Sequence, residues 1–169
     1  MPEYLYKLPF DGKVMISQGW NGPFSHHRVG QIDMRYAIDF QLPFGTEVKC
    51  ARRGKVATVF DFNKDFYTGY NPSLGLNVRT NFVMIDHEDG TAALYSHLKY
   101  RASSLQPKQI VNTGDIISLT GESGWIPVSH LHFQVFEFQK PFIIGDSIQV
   151  RFSNYSGPME HNEIFGTRI

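Results

Sequence analysis

The chain has 169 residues, 41% of them apolar, which is enough for one domain with a hydrophobic core and too apolar for a disordered polypeptide. Its 16 basic and 16 acidic residues cancel, so no overall field draws it to nucleic acid or to an anionic membrane surface. No stretch is long and apolar enough to span a bilayer, the N-terminal "MPEYLYKLPFDGK" lacks the charged-then-apolar order of a secretion signal, and the lone Cys50 cannot form an internal disulfide.

In chain order, the first candidate imidazoles are His26 and His27, in the Gly/Pro/Ser-containing loop "GPFSHHRVG". "YAIDF" follows as an alternating strand with Tyr36, Ile38 and Phe40 on one face and Asp39 on the other beside Ala37. "GTEVKCARRGKVATV" sets Gly and Thr ahead of another alternating run, within which Cys50 reads as a small buried apolar residue. Residues 61–76, "DFNKDFYTGYNPSLGL", read as a long surface loop of the kind that walls a binding groove. "NFVMID" and "AALYSHL" are strands joined by "HEDG", a hairpin turn whose Asp-Gly supplies positive backbone angles; His87 there is structural, and His97 closes the second strand. "GDIISLTGESG" loosely repeats the earlier Gly-led pattern and hints at internal pseudo-symmetry. "LHFQVFEF" and "SIQVRF" complete the series. Short β-branched and aromatic runs closed by Gly, Pro, Asn or Asp predict an all-β fold, a mainly antiparallel sandwich or barrel-like sheet with a groove.

"SHLHFQVFEF" carries the sharpest chemical signal. Residues two apart in a strand lie on one face, roughly 7 Å apart. His130 and His132 therefore share a face with Gln134, while Leu131, Phe133 and Val135 turn to the core. An aspartate inside a strand as apolar as "YAIDF" is costly unless it is solvated, hydrogen-bonded or bound to a cation. His, Asp and His ligands with spare imidazoles beside them suit a catalytic zinc with an open fourth position.

From about Tyr4 to Phe138 the chain resembles the lysostaphin-like (LytM-type) zinc metalloendopeptidases, which cleave peptide cross-links of bacterial cell walls. The resemblance is carried by an ordered set of phrases: "QGWNGPFSHH", "YAIDFQLPFGTEV", "ARRGKV", "IDHEDGTAALYSHL", "GDIISLTGESG" and "SHLHFQV". It implies the duplicated hybrid motif fold in a single metallopeptidase domain over residues 1–169, with 139–169 an extension of no recognised counterpart. It also implies one Zn2+ per chain, held by His26, Asp39 and His132, with His97 and His130 as catalytic imidazoles beside the metal. His130 is the expected general base, because a strand shared with His132 fixes its distance from the metal. His97 is left to hydrogen-bond the oxyanion or to help protonate the departing amine. The expected partners are peptidoglycan stem peptides, the expected state a monomer, and the expected location the periplasm, cell envelope or exterior.

Three departures from the family pattern stand out. His26 lies thirteen positions before Asp39, where the family commonly separates the two by only three residues, so a long loop must fold back; His26 is preferred because it follows Phe-Ser, with His27 the alternative and Asp33 a lesser carboxylate lacking strand context. The loop "GWIPVS" is bulky, so Trp125 with Tyr67 and Tyr70 is expected to line the substrate groove, although these aromatics equally suit holding the loops down. The C-terminal extension is the third. Two rival readings remain: a non-catalytic peptidoglycan-binding or hydrolase-activating module of the same fold, and a cupin-type metal protein using His130, His132 and Glu137, with His161 downstream. Glu137 has the wrong strand parity for the latter.

Overall fold

Among the described residues, short apolar runs broken by Gly, Asn and Asp turns become fourteen β-strands and no helix. The structure, a computed structural model, describes residues 5–29, 32–64, 80–124, 126–139 and 143–157. In chain order the strands are β1 (Leu5–Tyr6), β2 (Met15–Gln18), β3 (Arg28–Val29), β4 (Ile32–Asp33), β5 (Ile38–Gln41), β6 (Glu47–Lys49) and β7 (Gly54–Phe60). They continue with β8 (Phe82–Asp86), β9 (Thr91–Ser96), β10 (Ile110–Val111), β11 (Ile116–Leu119), β12 (Leu131–Gln139), β13 (Ile143–Ser147) and β14 (Arg151–Phe152). The main sheet runs β10-β7-β8-β9-β12-β5-β2, with β13 also pairing β12. All its pairings are antiparallel; β1 with β14 is a parallel pair.

Strand alternation gives the main sheet two different faces. Ile38, Phe40, Val83, Ile85, Ala93, Tyr95, Leu131, Phe133 and Val135 point into one buried core. The opposite face begins with a small apolar cluster of Met84, Ala92, Phe136 and Phe138, then turns polar toward the start of β12. Tyr95, fully buried, accepts the Ala51 N–H on its hydroxyl at 2.8 Å and so ties the sheet to the segment after β6.

The two Gly-led segments pair with each other. β6 lies antiparallel to β11, and the two turns before them are built alike. Gly45 and Gly114 take positive φ of 82° and 94°, and each is the third residue of a turn, closed from Thr46 N–H to Pro43 O (3.3 Å) or from Asp115 N–H to Asn112 O (3.1 Å). Each glycine N–H then crosses to the other segment, Gly45 to Thr120 O at 2.9 Å and Gly114 to Cys50 O at 2.8 Å. The pseudo-symmetry hinted at by the sequence is thus a reciprocal pairing.

Two expectations are corrected. In the "HEDG" turn the positive angles fall on Glu88 (φ 60°) and Gly90 (φ 87°), while Asp89 accepts hydrogen bonds from Thr91 and pairs with Arg52. Asp33, expected to lack strand context, ends β4 and is fully buried. His87 is buried with its Nδ1 2.9 Å from Arg53 O, and Cys50 is buried as expected.

The loop between β2 and β5 is long and needs bracing. Arg35 forks onto the Asp33 carboxylate at 2.9 and 2.8 Å, and Arg28 lies 3.5 Å from the same group while also pairing with Asp146 of β13. Tyr36 N–H donates to Ser147 Oγ at 3.2 Å. The described residues beyond 138 are therefore part of the fold: β13 extends the main sheet, and Phe152 of β14 packs against Phe40 and Phe133 at 6.1 and 5.8 Å between ring centroids. No helix among the described residues is long and apolar enough to cross a membrane.

Replacing Tyr95 with Phe leaves the buried Ala51 N–H without an acceptor, which costs about 1–3 kcal/mol and is expected to lower the urea midpoint with an unchanged slope. The Arg35 fork holds the Asp33 carboxyl down to about 2 from its ordinary 3.8, so its stabilisation is complete above pH 3.8 and fades as pH falls toward 2. The stability difference between the parent and Asp33→Asn, measured by denaturant titration, is expected to close over that same interval.

Candidate metal centre

Sheet register assembles the site. On β12, His132 stands opposite Asp39 of β5 on one side and Ser96 of β9 on the other, and Gln18 of β2 stands opposite Asp39 in turn. Directly opposed residues share a face with Cβ atoms about 4.5–5.5 Å apart, so Gln18, Asp39, His132 and Ser96 form one row across four strands. His26 arrives from outside the sheet: the long loop folds back as expected and brings its Nε2 to 3.2 Å from Asp39 Oδ2. His27 is exposed instead. One potential ligand atom from each of His26, Asp39 and His132 lies within 4.8 Å of the others.

Each imidazole is oriented from behind. His26 Nδ1 donates to Gly19 O (2.9 Å), His97 Nδ1 to Ser123 O (2.8 Å) and His130 Nδ1 to Val128 O (2.7 Å). A carbonyl only accepts, so the hydrogen must sit on Nδ1 and, in the neutral ring, Nε2 is left as a lone pair. In His132 the order is reversed. Gln134 Nε2 donates to Asp33 O at 2.7 Å, which turns Gln134 Oε1 toward His132 Nε2 at 3.5 Å and leaves His132 Nδ1 facing Asp39 Oδ1 at 2.9 Å.

Asp39 is thus faced by three imidazoles, His26, His132 and, at 3.7 Å, His130 Nε2. Burial opposes its ionisation, but the surrounding imidazoles, His130 and His26 before His132, hold the carboxyl well below the usual carboxylate range. Lone pairs and a carboxylate meeting inside a protein need a cation between them, either protons or a metal. His26 Nε2 is fully buried and has no hydrogen-bond partner despite its nearness to Asp39 Oδ2, so its lone pair is free to meet a cation. The donor set, two imidazoles and one carboxylate, fits zinc.

His97 and His130 stand beside this group, with ring centroids 4.5 Å apart and His97 6.1 Å from His132. His97 adopts a left-handed backbone (φ 63°), unusual for a residue with a side chain, and is held there by Leu98 N–H to Asn81 O (3.1 Å) and by Gly121 N–H to its own carbonyl (2.8 Å). Burial, reinforced by His130 and His132, lowers its pKa to about 3, so the ring is neutral at ordinary pH.

Of the other sequence candidates, Glu137 is exposed on the opposite parity of β12 and belongs to no ligand group among the described residues, which removes the cupin triad. Tyr67, Tyr70, Trp125 and His161 lie outside the described residues. Two residues that the sequence reading did not assign, Gln18 and Gln134, touch the centre directly. The parity rule that paired Gln134 with the histidines pointed to it; nothing comparable marked Gln18.

The profile described as Peptidase family M23 matches residues 33–143. Among curated proteins, the peptidoglycan DD-endopeptidase ShyB of Vibrio cholerae is 29% identical over 126 residues, covering 75% of this chain and 26% of that protein. The peptidoglycan DD-endopeptidase ShyA of the same organism is 26% identical over 135 residues, covering 80% of this chain and 28% of that one. The chain thus spans little more than a quarter of these relatives. Among solved structures, LytU superposes with TM-score 0.54 at 26% identity, covering 76% of each chain. A zinc-containing peptidase from Vibrio cholerae shares the fold with TM-score 0.56 at 24% identity, over 88% of this chain and 41% of that one. With two thirds of its length matched and the family's ordered phrases folded around one carboxylate, the chain belongs to peptidase family M23.

Proposed function

We propose that this chain is a zinc-dependent endopeptidase that hydrolyses peptide cross-links of bacterial peptidoglycan at the cell envelope. The observation that carries the reading is the convergence of His26 Nε2 and His132 Nδ1 on the two oxygens of a buried Asp39, with the His26 nitrogen left unpartnered. Family membership and relatives named as peptidoglycan DD-endopeptidases support the substrate class.

His26, Asp39 and His132 would hold the ion. When bound, zinc supplies Lewis acidity to the scissile carbonyl and lets water ionise near neutral pH. The remaining work falls to the protein. Hydrolysis of an amide must take a proton from water and deliver one to the departing nitrogen. His130 and His97 both hold a hydrogen on Nδ1 against a backbone carbonyl, so each neutral ring presents Nε2 as a base. The two rings, 4.5 Å apart, differ in their surroundings. His130 Nε2 faces the Asp39 carboxylate at 3.7 Å, whereas burial keeps His97 neutral. His130 is therefore assigned as the base and, once protonated at Nε2, as the donor to the amine; His97 accepts a hydrogen bond at Nε2 and orients the water. Asp39 stays ionised throughout and lowers the net positive charge of the centre.

The purified chain is expected to contain one zinc per molecule by elemental analysis and to release soluble peptide fragments from purified cell-wall sacculi, with the release abolished by chelator and restored by zinc. Asp39→Ala is expected to lose the metal; His130→Ala is expected to keep it while kcat falls about 10²–10⁴-fold. Glu137→Gln should change neither. Stoichiometric zinc without any fragment release would favour a binding module, and a chain that takes up no zinc would defeat the proposal.

A further inference from the structure

Gln18 is placed by an irregularity. In β2, Ile16 stands opposite Phe40 on the core face, and simple alternation would put Gln18 on that face too. A bulge between Ile16 and Gln18 inserts Ser17 as an extra residue, and Gln18 emerges opposite Asp39 on the polar face. There its amide uses every hydrogen-bonding valence it has. Nε2 donates to Asp39 Oδ2 and to Ser25 Oγ, both at 3.0 Å, while Oε1 accepts Phe24 N–H at 2.9 Å and Ser25 N–H at 3.0 Å. Backbone N–H groups can only donate, so the oxygen must face the loop and the nitrogen must face Asp39. Gly22 completes the cradle: a Cβ there would stand 2.3 Å from Gln18 Cγ.

We propose that Gln18 is a positioning residue for the metal centre, its amide fastening the Asp39 carboxylate to the loop that carries His26. The proposal rests on the reading of His26, Asp39 and His132 as the metal ligands. Its physical need is clear from the chain: His26 and Asp39 are thirteen residues apart, so the strand that fixes the carboxylate does nothing to fix the imidazole. Gln18 supplies the missing link. Without it, Asp39 Oδ2 loses its neutral donor, and the Phe24 and Ser25 amides lose the acceptor that folds the chain two residues before His26. Partners that orient metal ligands from behind typically alter metal affinity 10–100-fold when removed.

The test is zinc affinity of the full chain by competition with a chromophoric chelator, alongside the melting temperature of each zinc-free protein. Gln18→Ala is expected to bind zinc 10–100-fold more weakly. Gly22→Ala, which displaces the Gln18 side chain without removing it, is expected to weaken binding as well, and to add less than about twofold when combined with Gln18→Ala because both act through one group. A merely structural role would lower the zinc-free melting temperature and leave affinity untouched. Binding by Gln18→Ala within about threefold of the parent, or fully additive losses in the double variant, would overturn the proposal; should Gln18→Ala fail to fold, unimpaired binding by Gly22→Ala would do so. A parent that binds no zinc would instead overturn the ligand assignment on which the proposal stands.

Discussion

Everything at the polar end of the sheet depends on the pairing register of β12 with β5. Side chains alternate strictly along a strand, so a one-residue slip would send His132 into the core and bring Leu131 out against Asp39. The slip is prevented from the other face. Leu131, Phe133 and Val135 are buried there with Ile38, Phe40 and Tyr95, and exposing such a set costs roughly 1.5–3 kcal/mol per side chain. The hydrophobic core therefore fixes the position of a polar centre it never touches.

The same arrangement creates an electrostatic demand. Asp39 is 6% exposed and His26 0% exposed, and nearly every nitrogen around the carboxylate is committed by a hydrogen bond on its far side. Acceptors turned toward one another in a buried site are unfavourable unless positive charge lies between them. A proton can satisfy one such contact; a divalent cation satisfies several together. The fold thus spends core stability on holding a site whose own groups repel, a common condition of metal centres and one that couples ion binding to stability.

Much of this was legible in the sequence, and what was not has definite physical reasons. His130, His132 and Gln134 declared their common face by parity, and Asp39 stood out as a charge in an otherwise apolar strand. The β6 and β11 likeness was visible because both turns need a glycine at positive φ. Gln18 was invisible because parity fails at a bulge, and no composition signal marks Ser17 as the extra residue. The bracing of the His26 loop was equally hidden, since Arg28, Asp33, Asp146 and Ser147 are brought together from ends of the chain more than a hundred residues apart. His26 itself could be preferred over His27 by resemblance, but its seat is decided by Gly19 O and Gln18, contacts that a loop sequence does not encode locally.

The central claim is that two imidazoles and one carboxylate from three separate parts of the chain share one zinc ion with a position left for water. X-ray absorption at the zinc edge of the purified protein tests it most directly. The account predicts a four-coordinate shell of nitrogen and oxygen at about 2.0–2.1 Å with outer-shell scattering from two imidazoles. A shell with sulfur at about 2.3 Å, a shell with one imidazole or none, or a protein that retains no zinc after purification would contradict it.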